Sequence, residues 1–398
     1  MLGAVLLIVL ATACTWPAEG WDAARTGFNP LELTLTTSNV GSLTRVWGTD
    51  TGATAMTPAV VGSRVFVPAG DAVEAFDTAT GAVDWITHNH DTSLPPAQVV
   101  GPLSAVGDKV LAPVNWDDDA GGVFTFDDTT GARSGSGSVH HVVLGSVATR
   151  NDATAVVSMS FIPVNDRYFF LDYGTYSTVL DTAGSVTSPS IIGRSVLVGV
   201  DNRIKSFSLD TCVPDPALPP QFPSCAPQWT ATVPAAPRDP VGIGTSEAAI
   251  GLANGDVAVL DLGTGALEWT AHTGSTAATA PAVANGQLYV GAGDGDVDAF
   301  SATGCGESTC APEWSGATAS GAAVSHQPAV GNNVVYVGTS TGAVYAFAAG
   351  GCGTSACASL WNGAVNPSGP AAPVWGPVVA SGTVYASAGS TLAAFRLP

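Results

Sequence analysis

Charged side chains are scarce in this chain of 398 residues, and basic ones are scarcer still. Asp, Glu, Lys and Arg make up 11% of the residues, and 12 basic against 32 acidic side chains give a formal charge of −20. A charge of this sign repels phosphate backbones and anionic lipid headgroups. We therefore expect no nucleic-acid partner.

Helical patterning is also missing. Beyond residue 20 no stretch repeats its apolar residues with the 3.6-residue period of an amphipathic helix. The 47 Gly and 27 Pro, with frequent Val, Thr and Ser, are typical of short strands joined by tight turns. No stretch has the composition of a linker between globular units, so one large all-β repeat architecture is predicted.

The N-terminus indicates where the protein works. Residues 2–13 form an apolar run that is too short for a transmembrane helix but suits the hydrophobic part of an export signal. The motif Ala11-Thr12-Ala13-Cys14 that ends it resembles the lipobox of bacterial lipoproteins. We expect a signal peptide over residues 1–13, a lipid on Cys14, and a tether and lead-in over residues 14–42. An ordinary signal peptide followed by an incidental cysteine is the competing interpretation.

The rest of the chain repeats itself. Each unit starts at a Pro or Gly, reaches an anchoring Phe or Leu 18 or 19 residues later, and continues to a Trp. The clear copies are Pro58/Phe76/Trp85, Pro281/Phe300/Trp314 and Pro328/Phe347/Trp361, and the weaker ones are Pro189/Phe207/Trp229 and Gly242/Leu260/Trp269. The last copy, Pro377/Phe395, has no Trp behind it.

Each unit has the pattern of an antiparallel sheet. Residues 287–291 and 296–301 alternate apolar and polar side chains on either side of a Gly-rich turn, and the Trp segment adds a fourth strand. Such a sheet cannot cover both of its faces alone, so the copies are expected to stack around an axis as a β-propeller. Counting the units predicts eight four-stranded antiparallel blades over residues 43–398.

The missing Trp strand of the last unit is expected to come from residues 43–47, which end in Trp47. This N-terminal strand would close the ring and remove an exposed sheet edge. A chain that begins after Gly52 should then be unstable, whereas loss of residues 15–28 should cost far less.

Two stretches carry a family resemblance. The sequences Ala75-Phe-Asp-Thr-Ala-Thr-Gly-Ala-Val-Asp-Trp85 and Val259-Leu-Asp-Leu-Gly-Thr-Gly-Ala-Leu-Glu-Trp269 resemble the PQQ-like (quinoprotein dehydrogenase-like) propeller repeat. Residues 21–30 are similar to the approach to the first blade in that family. The resemblance implies that the Trp of each blade packs against the next blade, a role that falls on Trp47, Trp85, Trp229, Trp269, Trp314 and Trp361.

The six cysteines beyond Cys14 keep a shared register. In three units the first cysteine follows the anchoring Phe by 5 residues and the second precedes the Trp by 4. This spacing predicts three local disulfides, Cys212–Cys225, Cys305–Cys310 and Cys352–Cys357, and therefore an oxidising environment outside the cytoplasm. Zinc is the competing interpretation, but the spacings and the lack of nearby His disfavour it.

Signs of chemistry are few. Quinoprotein dehydrogenases of the resembling family carry an adjacent Cys-Cys pair beside the quinone, and this sequence contains none. Residues 338–342 match Gly-x-Ser-x-Gly, but they align with a turn and not with a nucleophile elbow. Residues 117–119 and two His pairs could touch a cation, although no Ca²⁺ loop motif fits. We expect no catalytic residue, no metal site and no cofactor, with PQQ and Ca²⁺ as the alternative.

Together these patterns predict an exported, envelope-anchored or secreted β-propeller that is monomeric and binds or scaffolds protein or cell-envelope polymer partners. Its contact with the membrane would be through the lipid anchor only. The alternative is a quinoprotein oxidoreductase, or another enzyme, with its site in the propeller funnel. Absorbance of bound quinone together with dye-linked alcohol or sugar oxidation would distinguish the two.

Replacement of Cys14 by Ser should abolish membrane retention and leave the β-structure folded. The acyl chains on a lipidated cysteine contribute roughly 0.8 kcal/mol per buried CH₂, which suffices for stable anchoring when two or three chains are present. Incorporation of labelled palmitate into the wild type and the Cys14→Ser variant is the measurement. Equal labelling of the two would contradict a lipid on this residue.

Overall fold

The computed structural model describes residues 15–89, 97–117, 120–139, 142–149, 154–161, 165–172, 177–182, 187–208, 226–318 and 322–398. These residues are almost entirely β-strand and turn. The N-terminal part contains the strands β1 (Thr15–Trp16), β2 (Phe28–Asn29) and β3 (Thr44–Asp50), with one turn of 3₁₀ helix (Val40–Ser42) before β3. Within the described ranges no helix is long and apolar enough to cross a membrane.

The remaining strands form antiparallel meanders, which we number as sheets 1 to 8 in chain order. Sheet 1 contains β4 (Ala59–Val61), β5 (Arg64–Ala69), β6 (Ala72–Asp77) and β7 (Val83–His88), and sheet 2 contains β8 (Gln98–Val99), β9 (Ser104–Val106), β10 (Lys109–Asp117), β11 (Ala120–Asp127) and β12 (Arg133–Val139). Sheet 3 contains β13 (Val142–Thr149), β14 (Thr154–Phe161), β15 (Asn165–Asp172) and β16 (Ser177–Thr182). Sheet 4 contains β17 (Ser190–Ile192), β18 (Ser195–Val200), β19 (Arg203–Ser208) and β20 (Trp229–Thr232).

The second half follows the same plan. Sheet 5 contains β21 (Gly242–Ile243), β22 (Glu247–Gly251), β23 (Asp256–Asp261) and β24 (Leu267–His272), and sheet 8 contains β35 (Val374–Ala380), β36 (Thr383–Ala388) and β37 (Thr391–Arg396). The meander of sheet 6 is β25 (Ala282–Ala284), β26 (Gln287–Gly291), β27 (Asp296–Ser301) and β29 (Trp314–Ala317), with β28 (Thr309–Cys310) in the loop before β29. The meander of sheet 7 is β30 (Ala329–Gly331), β31 (Val334–Gly338), β32 (Ala343–Ala348) and β34 (Trp361–Ala364), with β33 (Ala356–Cys357) in the loop before β34. The two short strands β28 and β33 pair outside their own meanders, as described below.

The hydrophobic core lies between the faces of consecutive sheets. One cluster joins Phe76 of sheet 1 to Tyr385 and Phe395 of sheet 8 and to Tyr336 of sheet 7, all of them buried. Comparable clusters join sheets 1 and 2, sheets 5 and 6, and sheets 6 and 7. The sheets joined by these clusters therefore depend on their neighbours to remove their apolar faces from water.

The Asp-x-x-Thr-Gly motif builds the turn between the third and fourth strands of a sheet. In sheet 1 the Asp77 carboxylate accepts hydrogen bonds from the backbone N–H of Thr80 (2.9 Å) and from its hydroxyl (2.7 Å). These bonds lower the pKa of Asp77, because they favour the ionised form. Gly81 then adopts a left-handed conformation with φ 70°, which favours glycine.

The repeat tryptophans lie across the boundaries between sheets. Five of them donate the indole N–H to a backbone carbonyl oxygen of the following sheet over 2.9–3.3 Å. The pairs are Trp47 to Thr78, Trp85 to Asp128, Trp229 to Leu262, Trp314 to Ala349, and Trp361 to Leu43, the residue before β3 of sheet 8. Trp269 packs against Phe300 of sheet 6, with ring centroids 6.4 Å apart. The motif glycine of the following sheet lies against the Trp ring, as Gly131 does against Trp85.

The first long strand and the last strand of the chain are hydrogen-bonded neighbours. Thr44 pairs with Arg396 and Asp50 pairs with Thr391, so β3 is the outer strand of sheet 8. Trp47 on β3 reaches sheet 1, because its indole N–H donates to the Thr78 carbonyl. A strand that precedes sheet 1 in the sequence thereby completes the last sheet.

Two of the three predicted disulfides, Cys305–Cys310 and Cys352–Cys357, are present. Each closes a loop that reaches the outer edge of the preceding sheet: β28 pairs in parallel with β24 of sheet 5, and β33 pairs in parallel with β29 of sheet 6. The loops thus cover two sheet edges that would otherwise be open. Cys212 and Cys225 lie outside the described residues, so their pairing stays a prediction.

Substitution of Gly131 by Ala should destabilise the protein more than substitution of Gly107 by Ala. Both glycines have a left-handed backbone, with φ 68° and 59°, so both variants bear the penalty of about 1–2 kcal/mol for a Cβ in that conformation. A Cβ on Gly131 would also lie 2.5 Å from the Trp85 ring, whereas one on Gly107 meets nothing within 4 Å.

The additional overpacking at Gly131 should cost roughly 1–3 kcal/mol. The free energy of unfolding in urea, measured for both variants under oxidising conditions, tests this difference. Equal losses would mean that the tryptophan contact contributes nothing to stability.

Candidate functional site

Residues 15–32, which we call the inner-edge segment, run along the innermost strands of the sheets. The segment starts at sheet 1, where Thr15 and Trp16 pair with Val61 and Val60. It ends at sheet 8, where the Asn29 side-chain amide donates to the Val379 carbonyl over 2.9 Å. Between these points it contacts the intervening sheets in chain order.

Backbone carbonyls of this segment accept the N–H groups of five innermost strands. Over 2.6–2.9 Å, Ala105 donates to Pro17, Ile191 to Ala23, Ile243 to Ala24, Val283 to Thr26 and Val330 to Gly27. The donors occupy equivalent positions in sheets 2, 4, 5, 6 and 7. An innermost strand has no partner on its open side, and an unpaired buried N–H costs about 1–3 kcal/mol, so the segment satisfies a repeated need.

The segment can follow this path because it makes a tight bend over residues 20–27. Gly27 N–H donates to the Gly20 carbonyl over 2.8 Å, and Thr26 N–H donates to the Asp22 carboxylate over 3.0 Å. Gly20, Trp21, Arg25 and Gly27 all have a positive φ. A Cβ on Gly20 would lie 2.8 Å from the Arg25 Cα, which makes glycine necessary there.

The bend directs Arg25 into the interior, where it is 1% exposed. Its guanidinium forms an ion pair with Glu19 (2.8 Å) and donates to the Ser146 hydroxyl (2.8 Å) and the Pro189 carbonyl (3.3 Å). Ser146 also donates to the Glu19 carboxylate. Burial lowers the pKa of Arg25 and the neighbouring carboxylates oppose that shift, so the arginine connects the segment to sheets 3 and 4 through charged hydrogen bonds.

Other ionisable groups surround this pair. Burial and the Glu19 charge raise the pKa of Asp239 to about 6, although Arg238 opposes the shift. Burial also lowers the pKa of His326, whose Nδ1 lies 2.8 Å from the Val374 carbonyl and whose ring lies 4.1 Å from that of Trp375. The interior beside the segment is therefore polar and is held by fixed hydrogen bonds.

A cavity of about 1340 Å³ lies on the other side of the inner-edge segment. Its lining includes Trp21, Asp22, Phe28 and Leu31 of the segment, the end of β9 in sheet 2, and the turns that follow the innermost strands of sheets 4, 5 and 6. Neither Glu19 nor Arg25 lines it. The wall of the cavity is mainly apolar and carries two carboxyl groups, Asp22 and Glu247. Burial raises the pKa of Asp22.

The residues singled out from the sequence are not gathered at this cavity. The repeat tryptophans lie at boundaries between sheets, and the two described disulfides lie at outer edges. Cys14, His90, Asp118, Asp119, His140 and His141 lie outside the described residues. No motif or spacing in the sequence pointed to Glu19, Arg25 or Asp239. Arg25 lies within the lead-in at residues 21–30, and Glu19 lies just before it.

The residues present do not fit a quinone with its calcium ion. In the described part of the chain no three His, Cys, Asp or Glu side chains are close enough together to hold a metal ion. The sequence also has no adjacent cysteine pair. The innermost strands of sheets 2, 4, 5, 6 and 7 already use their central N–H groups for the inner-edge segment. We therefore derive no step through PQQ.

Comparison with known proteins links the chain to one family. The family model described as outer membrane protein assembly factor BamB matches residues 35–210 and 223–398. No curated protein matches the sequence.

Solved structures share the fold at low identity. A quinohemoprotein alcohol dehydrogenase from Comamonas testosteroni is 14% identical, with a TM-score of 0.68 over 98% of this chain and 83% of that one. BamB from Moraxella catarrhalis is 16% identical, with a TM-score of 0.59 over 89% and 97%. The computationally designed protein Ika8 is 16% identical, with a TM-score of 0.68 over 89% and 98%. These likenesses establish a propeller-type all-β fold and nothing about activity.

Deletion of residues 15–28 should destabilise the protein strongly, which reverses the expectation from the sequence. The deletion leaves the N–H groups of five innermost strands without their acceptors. At about 1–3 kcal/mol for each unpaired group, the loss in the free energy of unfolding should exceed about 5 kcal/mol.

A double variant, Glu19→Gln with Arg25→Met, is the matched control because it removes the ion pair and keeps the backbone carbonyls. Its loss should be much smaller, since replacing both members of a buried ion pair is often nearly neutral. Thermal unfolding followed by circular dichroism compares the two. A deletion variant as stable as the parent would contradict a role for the carbonyls.

Proposed function

Since this chain belongs to the family described as outer membrane protein assembly factor BamB, we propose that it is an exported, lipid-anchored β-propeller that binds protein or envelope-polymer partners and catalyses no reaction. The family match spans most of the chain. The two disulfides support an extracytoplasmic location, because such bonds persist in oxidising compartments. The lipid anchor is Cys14.

In this proposal the eight sheets are the eight blades of a closed ring. The pairing of β3 with β37 supports closure, because it joins an N-terminal strand to the final sheet. The Trp47 contact with Thr78 supports it further, because it continues from sheet 8 to sheet 1. Closure leaves no end sheet with an uncovered apolar face.

The observation that carries the non-catalytic assignment is the path of the inner-edge segment. Residues 15–32 of the chain itself lie against the innermost strands, where a ligand on the axis of a ring would otherwise sit. Arg25, next to the segment's bend, forms an ion pair with Glu19 and a hydrogen bond with the Ser146 hydroxyl. The His326 ring lies at hydrogen-bonding distance from a backbone carbonyl. Such groups stabilise the segment and are not positioned around an open substrate site.

Partner binding is assigned to the outer strands. Val83 and Ile86 on β7 are 50% and 45% exposed, and Val46 on β3 of the neighbouring sheet is 42% exposed. Contiguous exposed apolar patches mark interaction sites, and we assign these three side chains to one such patch. Sheets 5 and 6 differ in their backbone edges, because disulfide-closed loops pair with β24 and β29, although Leu267 on β24 is also 44% exposed.

Photo-crosslinking in intact cells tests the binding function. A photoreactive phenylalanine analogue at Ile86 should give a discrete adduct with an envelope component, and the same analogue at Asn254, on an exposed turn, should not. The substitution Val83→Asp should remove the adduct at position 86, because it places a charge among the exposed apolar side chains, and should leave the amount of protein in the cells unchanged. Lack of a discrete adduct at position 86, or equal adducts at both positions, would overturn the assignment of the outer strands.

Incubation of the purified protein with PQQ and Ca²⁺ tests the enzyme alternative. We expect no quinone absorbance after gel filtration and no dye reduction with alcohols or sugars. Substrate-dependent dye reduction that requires the protein would refute the non-catalytic assignment.

A further inference from the structure

The residue that follows the lipidation site is fixed to the body of the protein. Thr15 pairs with Val61 and Trp16 with Val60, both on the innermost strand of sheet 1. Trp16 is only 2% exposed, and the Asn29 side chain donates to the Thr15 carbonyl over 3.3 Å. No flexible residue therefore separates Cys14 from the folded body, whereas the sequence suggested a tether.

Thr15 lies on a definable face of the molecule. We call the turns that join each innermost strand to the second strand of its sheet the first-turn face. The large cavity opens there, since its lining includes Thr15 and residues of such turns in sheets 4, 5 and 6. The turns between third and fourth strands lie on the same face, because Thr78 N–H donates to Ser63 O over 2.9 Å in sheet 1.

An apolar side chain protrudes from the first-turn face. Leu33 is 73% exposed, more than any other large hydrophobic residue in the described ranges. Its position is fixed, because Asn332 in the first turn of sheet 7 donates to the Leu33 carbonyl over 3.0 Å, and because the preceding Glu32 accepts from Gly382 in the first turn of sheet 8 over 2.8 Å. Leu31, two residues earlier, lines the cavity.

From these contacts we infer that the first-turn face lies directly against the lipid bilayer in the lipidated protein. The inference rests on the proposed lipid anchor at Cys14. Consecutive Cα atoms are about 3.8 Å apart, and the headgroup layer on one side of a bilayer is roughly 6 Å thick. A lipid attached one residue before Thr15 therefore holds that face at headgroup depth, and Leu33 is exposed on the side that meets the membrane.

Both basic and acidic side chains lie on this face. Arg194 is in the first turn of sheet 4, and Arg396 donates to the Thr78 and Ala79 carbonyls in the turn between β6 and β7. Asp77, Asp127 and Asp261 occupy the turns between third and fourth strands, and hydrogen bonds from the neighbouring threonines lower the pKa of each, so all three are ionised at neutral pH. Ionised carboxylates are repelled by anionic headgroups. Because the whole chain also carries a formal charge of −20, the face should lie closer to a zwitterionic surface than to an anionic one.

Fluorescence quenching by spin-labelled lipids tests the inference. The lipidated protein carries a bimane on a single introduced cysteine, Leu33→Cys on the first-turn face or Asn254→Cys on the turn at the far end of sheet 5. It is reconstituted into phosphatidylcholine vesicles. Labelled palmitate on the same samples reports separately whether Cys14 is lipidated.

We expect at least threefold stronger quenching at position 33 than at position 254, and weaker quenching at position 33 when a third of the lipid is anionic phosphatidylglycerol. A variant with ten Gly/Ser residues inserted between Cys14 and Thr15 should keep the palmitate label and lose most of the difference. Equal quenching at both positions in labelled protein would overturn the orientation alone. Absence of the palmitate label would overturn the anchor and the orientation with it.

Discussion

The unpaired N–H groups of the innermost strands are the constraint on which this structure depends. In sheets 2, 4, 5, 6 and 7 the innermost strand has a backbone N–H that finds no partner within the sheet and donates to the inner-edge segment. The inner-edge segment supplies acceptors to sheets 2, 4, 5, 6 and 7 and pairs with sheets 1 and 8 through Thr15, Trp16 and Asn29. One stretch of 18 residues, with a tight bend over residues 20–27, thereby connects sheets that are distant in sequence.

The faces of the sheets follow a second, repeated solution. A Trp on an outer strand crosses to the next sheet, and a left-handed glycine in the Asp-x-x-Thr-Gly turn leaves room for the ring, as Gly131 does for Trp85. The aspartate and threonine of the motif hold the turn in shape through hydrogen bonds. The motif is thus explained by packing between sheets, and a catalytic role is not needed to account for it.

The outer edges are treated unequally, which gives the molecule distinct sides. Disulfide-closed loops add a strand to the outer edges of sheets 5 and 6, whereas β7 of sheet 1 and β3 of sheet 8 are the last strands of their sheets. The first-turn face differs again, because it carries the cavity, Leu33 and the start of the inner-edge segment. A scaffold with separate membrane-facing and partner-facing surfaces is consistent with the proposed function.

The sequence alone determined the features that recur at a constant spacing: the strand pattern of each unit, the tryptophans and the cysteine pairs. These features recur in the sequence because each of them depends on contacts within one repeat unit or between one unit and the next. Only the tertiary structure decided what lies along the inner edges and which edge each disulfide loop covers. Arg25 meets Ser146 across 121 residues and Asn29 meets Val379 across 350, and these contacts occur once. A single contact between distant segments leaves no repeat in the sequence, so the packing of the chain was needed to reveal it.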